Sequence, residues 1–176
     1  MVLDAGEGIA SQDTHIAGYI AQAFKGIVVV VNKWDLAEER GINPFEFTKE
    51  VRERLKFASY VPILYVSAKF RRGIDKILAV AQEIAQERLK RVPTSTLNSM
   101  VTEAVTTHAP PPVRGKRLKI LYATQVEVGP PTFAFFVNDA KLVHFSYQRY
   151  LENKLRQAFG FGGTPLRLIF KGRGEE

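Results

Sequence analysis

Five consecutive β-branched residues, Ile27-Val28-Val29-Val30-Val31, constrain this chain more than any other feature. Their side chains are stiff at χ1 and favour extended backbone. An unbroken apolar run also leaves no polar face to turn toward water. Such a strand must be covered on both sides, as strands of parallel sheets are. Gly26 precedes the run and Asn32-Lys33-Trp34-Asp35 follows it, so a polar tetrapeptide falls at the carboxyl end of a buried strand. The flanking pattern alternates. Ser11 to Lys25 reads as a helix with Ile16, Ile20 and Phe24 on one face. Asn43-Pro44 opens another, with Asn as N-cap, Pro at the first helical position and Glu46 in the first turn. Val61 to Val66 reads as a strand, and Gly73 to Lys90 as a helix with Ile77, Val80, Ala81 and Ile84 along its stripe. Met1 to Asp4 reads as the tail of a further strand. This alternation predicts an α/β class with a doubly wound sheet over residues 1–92.

At Val92-Pro93 the order changes. Thr94 to Thr107 reads as a helix with Leu97, Met100, Val101 and Ala104 on one face. A proline triplet, Pro110 to Pro112, leads into the basic loop Arg114-Gly115-Lys116-Arg117. Leu118 to Val126 and Thr132 to Val137 read as strands. Ser146 to Phe159 reads as a helix with Tyr147, Leu151, Leu155 and Ala158 inward, and Leu166 to Phe170 as a last strand. Residues 93–176 are therefore expected to form a small α+β domain of order α-β-β-α-β.

Composition narrows the chemistry. The chain has no cysteine, which excludes disulfides, thiolate zinc sites and cysteine nucleophiles. Three scattered histidines offer no metal site, no window resembles a membrane span, and a cytoplasmic setting without a membrane partner is expected. Residues 1–92 carry 14 Lys and Arg against 12 Asp and Glu, whereas residues 93–176 carry 11 against 6. A basic second half fits a polyanionic partner, nucleic acid first, or simply a soluble basic domain.

Asn32-Lys33-Trp34-Asp35 suits one ligand in particular. Open α/β sheets bind ligands at the carboxyl ends of their strands. Guanine presents N1–H and the 2-amino group side by side, and the Asp35 carboxylate can accept from both; adenine has no such pair. Asn32 can hold neighbouring loops, and the aliphatic stem of Lys33 can lie over the ring. Ser67-Ala68-Lys69 follows the next strand in the same way, and its backbone, expected at Ala68, can donate to a base carbonyl. Each motif alone also reads as an ordinary turn. No Gly-x-x-x-x-Gly-Lys-Ser/Thr occurs, and Asp4-Ala5-Gly6-Glu7 lacks the glycine of Asp-x-x-Gly. Without them nothing cradles β- and γ-phosphates or holds Mg²⁺. The chain is expected to have no catalytic residue or metal ligand of its own, to bind GTP or GDP weakly if at all, and to lack a phosphate-handling half lying upstream.

The segments Asp4-Ala5-Gly6-Glu7-Gly8-Ile9 and Val30 to Asp35 resemble the second GTPase domain of the Der (EngA) family of bacterial tandem GTPases. The similarity continues through Pro93-Thr94, Tyr122-Ala123-Thr124-Gln125, Pro130 to Phe133, Tyr147 to Asn153 and Gly163-Thr164-Pro165, in the family's C-terminal KH-like domain. It implies a doubly wound P-loop GTPase fold followed by a KH-like domain. It also implies GTP or GDP with Mg²⁺ in the longer protein and a role in assembly of the large ribosomal subunit. Asn32, Lys33 and Asp35 would read guanine, with Ser67, Ala68 and Lys69 completing the pocket. The implied partners are the large subunit with its ribosomal RNA and the GTPase domains of the longer chain.

KH domains grip nucleic acid with a Gly-x-x-Gly loop between two helices. Gly160-Phe161-Gly162-Gly163 has those letters, but its place between a helix and a strand reads as a helix cap and turn. The other candidate RNA or ribosome contacts are Arg114, Lys116, Arg117 and Lys119 of the basic loop, with Arg149 and Arg156 on the last helix. A solvated loop, and pairing of both arginines with Glu152, are the plain alternatives. Phe136 points away from Phe133, Phe135 and Val137. Either set can stack on bases, although one at least is expected in the core. An interaction module that packs on GTPase domains without touching RNA is the rival reading.

Overall fold

The computed structural model describes residues 1–113 and 115–172, and places the valine run in the middle of a parallel sheet. Strands β1 (Val2–Asp4), β2 (Val29–Asn32) and β3 (Ile63–Tyr65) lie in that order, with Val2 beside Val30 and Val30 beside Leu64. Val29, Val30 and Val31 are all buried. Successive side chains of a strand point to opposite faces, so burying three in a row requires cover on both.

Helix α1 (Ser11–Gln22) turns Ala17 inward, while Ile16 is exposed. The expected face is corrected because a four-residue spacing drifts off a period of 3.6. A six-residue helix α2 (Trp34–Glu39) follows the tetrapeptide directly and is too short for periodicity to announce. Helix α3 (Pro44–Arg54) starts as read: Asn43 Oδ1 accepts from the Phe45 amide at 2.9 Å. Along α4 (Asp75–Leu89) Ile84 is the buried side chain, and Ala81 is exposed against expectation.

The chain divides into two units, Met1–Glu87 with Gly162–Pro165, and Arg88–Phe161 with Leu166–Glu176. The short late segment enters the first unit through Gly163. Its carbonyl accepts from the Ile27 amide at 2.8 Å, and its amide donates to Tyr60 O at 2.9 Å. Gly163 has φ +67°, a left-handed conformation open to glycine.

The second unit begins with α5 (Thr94–Thr107), whose Leu97, Met100, Val101 and Ala104 are buried as the pattern predicts. Strands β4 (Ile120–Glu127) and β5 (Thr132–Val137) pair antiparallel, and β6 (Arg167–Lys171) pairs parallel with β5. Between β5 and β6 runs α6 (Phe145–Phe159), its cap supplied by His144 Nδ1, which accepts from the Ser146 amide. Phe133, Phe135 and Val137 enter the core with Tyr147, Leu151 and Leu155. Ala158 is exposed, which corrects its inward assignment. Gly160, at φ +88°, ends α6 by donating to Arg156 O at 2.9 Å. The Gly160–Gly163 letters thus form a helix end and turn. Gln125 is a buried polar hub. Its Oε1 accepts from the Val92 amide at 2.7 Å, and its Nε2 donates to Lys90 O and Glu127 O at 2.9 and 3.2 Å.

Candidate base-binding site and basic surface

β2 and β3 are neighbours in a parallel sheet, so the loops leaving their carboxyl ends must meet. The Val66 amide donates to Val31 O at 2.9 Å and the Trp34 amide to Val66 O at 3.0 Å. Asn32 Oδ1 then accepts from the Ala68 amide at 3.0 Å. One side chain ties together two loops that are 36 residues apart. The Ala68 amide, read as a donor to a base carbonyl, is thus engaged by Asn32 in this structure. The Lys69 amide is the next donor in the loop, and no described residue accepts from it. Ser67 is buried. Its Oγ accepts from the Phe70 amide, and its backbone exchanges two 3.0 Å bonds with Arg72 to close the turn.

Lys33 has φ +60°, a conformation uncommon for any residue with a Cβ. It forms the N-cap of α2, and its ammonium lies 2.6 Å from Asp4 Oδ2. Asp4 stands beside Asn32 in the β1–β2 register, and its Oδ1 accepts from the Gly6 amide at 2.8 Å. The hydrogen bond from Lys33, then that from Gly6, hold the Asp4 carboxyl below the ordinary aspartate range. The same contact raises the Lys33 ammonium above the ordinary lysine value. In the sequence Asp4 reads only as a strand end. The signal for its role is position, since in a parallel sheet the residue ending one strand lies beside the residue ending the next.

Trp34 anchors α2 by packing on Tyr65, ring centroids 4.3 Å apart, and edge-on to Phe47 at 5.6 Å. Asp35 occupies the first turn of this helix. Its side chain is buried, 6% of the residue being exposed, and Oδ1 has no hydrogen-bond partner. A buried carboxylate oxygen without a donor is costly, by about 1–3 kcal/mol or more. Such groups are rare in folded proteins. The Asn32, Lys33, Asp35 and Ser67–Lys69 positions therefore all gather at one sheet edge, with an acceptor that the protein leaves unmet.

The basic residues behave differently from one another. Lys116, Arg117 and Lys119 are exposed, and none pairs with a carboxylate among the described residues. Val113 and Lys116 exchange two backbone bonds that close a tight turn. Arg114 lies outside the described residues. On α6, Arg149 is exposed. The Arg156 guanidinium is corrected: only 12% of its side chain is exposed, and it bonds Glu152 Oε1 at 2.8 Å and Phe161 O at 2.8 Å. It holds the helix end rather than presenting charge. Among the described residues no His/Cys/Asp/Glu cluster has metal-binding geometry, and no helix is long and apolar enough to cross a membrane.

Residues 91–171 match the family described as KH-domain-like of EngA bacterial GTPase enzymes, C-terminal. Over all 176 residues the chain is 53% identical to a protein named GTPase Der from Desulfitobacterium hafniense, covering 40% of that protein. It is 48% identical over 171 residues to GTPase Der of Alkaliphilus metalliredigens, and 51% identical over 168 residues to that of Brevibacillus brevis. These alignments take in 97% and 96% of this chain, and 39% and 38% of the relatives. The chain thus spans about 40% of the length of the curated relatives it matches.

Proposed function

This chain belongs to the Der (EngA) family of bacterial GTPases, and from that premise we propose that its first unit reads the guanine base of GTP or GDP while its KH-like domain contacts ribosomal RNA. The orphaned Asp35 oxygen carries the base assignment. Guanine N1–H and its 2-amino group are the donor pair that a single carboxylate accepts. The Asn32–Ala68 bond fixes the loop beside it, and the Lys69 amide donates to the base carbonyl. The Lys33 stem, held through its ammonium by Asp4, covers the ring.

When bound, the nucleotide supplies the phosphates, and with Mg²⁺ the transferable γ-phosphoryl group. The residues of this chain bind and select the base and are not assigned to the nucleotide's phosphates. Hydrolysis belongs to the longer protein, whose task under this proposal is assembly of the large ribosomal subunit. Lys116, Arg117 and Lys119 make phosphate contacts there. A second reading keeps the KH-like domain as a packing module for GTPase domains of the longer chain. It draws on the helix-to-strand position of Gly160–Gly163, which lacks a grip between two helices.

Asp35→Asn in the full-length protein tests the base assignment. The amide can donate where the carboxylate accepted, so preference is expected to move from GTP toward xanthosine triphosphate. An unchanged preference for GTP would refute it. For RNA, neutralising Lys116, Arg117 and Lys119 should flatten the salt dependence of binding by roughly 0.7 in log–log slope for each phosphate no longer neutralised. Binding that never depended on salt would favour the packing module.

A further inference from the structure

The sheet of the second unit has one face against helices and another that its sequence does not make uniformly polar. β4 pairs Ile120 with Val137 but Tyr122 with Phe136, so one extra residue, Leu121, interrupts the ladder. Such a bulge inverts the alternation of the strand and re-aims its side chains. Ile120 stays with the core residue Val137, whereas Tyr122 goes to the opposite face with Phe136. The rings of Tyr122 and Phe136 stack, centroids 4.2 Å apart and planes within 9°. Tyr122 is 48% exposed and lies on the edge strand, with no further strand beyond it.

The surroundings of this pair are cationic. Lys171 stands opposite Phe136 on the other flank. Lys119, bonded through its backbone to Asn138, extends β4 at the same end, with Arg117 two residues before it. The acidic residue facing outward on β4, Glu127, pairs with Thr132 at the far end of the ladder. Asp139 follows Asn138 at this end, but its Oδ1 accepts from the Lys141 amide. A flat, half-exposed aromatic ring beside lysines matches what single-stranded nucleic acids require. Their bases stack on the ring, and their phosphates are met by the cations. A protein partner would gain from the apolar area but has no need of a stacked ring pair flanked by cations.

We propose that the outer face of this sheet, centred on Tyr122 and Phe136 and flanked by Lys119 and Lys171, binds single-stranded nucleic acid by base stacking. The inference rests on the RNA-contact reading above and moves the centre of contact from the basic loop to the sheet. It also gives the exposed Tyr122 and Leu121 a purpose that folding does not supply.

The test is fluorescence anisotropy of the whole chain with a short single-stranded RNA, against the same sequence as a duplex. Tyr122→Ala and Tyr122→Leu should each weaken binding about tenfold, as loss of one stacked base does. Tyr122→Phe should retain it, and the salt slope should be unchanged in all three. Lys119→Gln with Lys171→Gln should instead lower the slope. Thermal unfolding of each variant checks the fold, and the leucine variant preserves apolar bulk. Binding lost with the loop lysines and arginines but indifferent to Tyr122→Leu would overturn the platform while leaving the RNA reading standing. No salt-dependent binding by the unsubstituted chain would overturn both. Equal binding of single strand and duplex would also refute stacking, since paired bases expose no free faces.

Discussion

Gly163→Ala should destabilise the first unit through a residue far along the chain from most of it. A Cβ built there would collide with Ile84 Cγ1, lie 2.5 Å from Ile84 Cδ1 and 3.2 Å from the carbonyl oxygen of Ile27. None of these partners can withdraw freely: Ile84 is the buried residue of α4, and Ile27 O belongs to the backbone entering β2. Overpacking of this kind costs about 1–3 kcal/mol. The left-handed conformation at φ +67° adds about 1–2 kcal/mol once a Cβ is present. Reduced freedom of the unfolded chain offsets about 0.4–1 kcal/mol. The net expectation is a loss of roughly 2–4 kcal/mol, or about 1–2 M in urea midpoint at an ordinary slope. Trp34 is the single tryptophan, is buried in this unit and packs on Tyr65, so its fluorescence follows the relevant transition. Gly162→Ala is the control, because a Cβ there meets nothing within 4 Å. Repeating Gly163→Ala in an Ile84→Ala background removes the colliding Ile84 atoms and should leave the backbone cost and the approach to Ile27 O. A Trp34 transition unmoved by Gly163→Ala would refute the reasoning. An equal cost in both backgrounds would refute the collision as its source.

Gln125→Leu keeps the volume but strips three hydrogen bonds, leaving the buried Val92 amide without its acceptor. A loss of roughly 2–4 kcal/mol is expected, read by urea unfolding followed by circular dichroism; a change under about 0.5 kcal/mol would show that water replaces the side chain. Asp4 and Lys33 set opposite limits on their ion pair. The lowered carboxyl pKa keeps the contact through the ordinary aspartate range and loses it only as pH falls through the depressed value. The raised ammonium pKa keeps it until pH climbs past the ordinary lysine value. NMR titration of the Asp4 carboxyl should show this, and Asp4→Asn should return Lys33 toward the ordinary value and weaken guanine nucleotide binding by the full-length protein. An Asp4 carboxyl titrating at its ordinary value would refute the pairing.

The amphipathic and apolar periods made most elements legible. The valine run required a covered parallel strand, Asn43-Pro44 required a helix start, and the face of α5 was legible residue by residue. Such patterns register only how residues a few positions apart share one local geometry. Short or tertiary features carry no period. Helix α2 escapes the sequence because six residues cannot display one, and Ile16 and Ala158 are misplaced by it because local spacing does not say which side meets the core. Both base-site motifs could be read in the sequence, as could their common sheet edge, since chain order and strand ends determine it. The sequence could not say that the Ala68 amide is taken by Asn32, that Asp4 holds Lys33, or that Arg156 is turned onto its own helix end. Those facts depend on distances between residues remote along the chain. The stacked Tyr122–Phe136 pair depends further on a one-residue bulge in β4. By itself the sequence determined which of the longer elements form and which chemistry stands at their ends. Only the tertiary structure decided which polar groups satisfy one another and which, like Asp35 Oδ1, find no partner, because a hydrogen bond is set by the approach of two atoms in space.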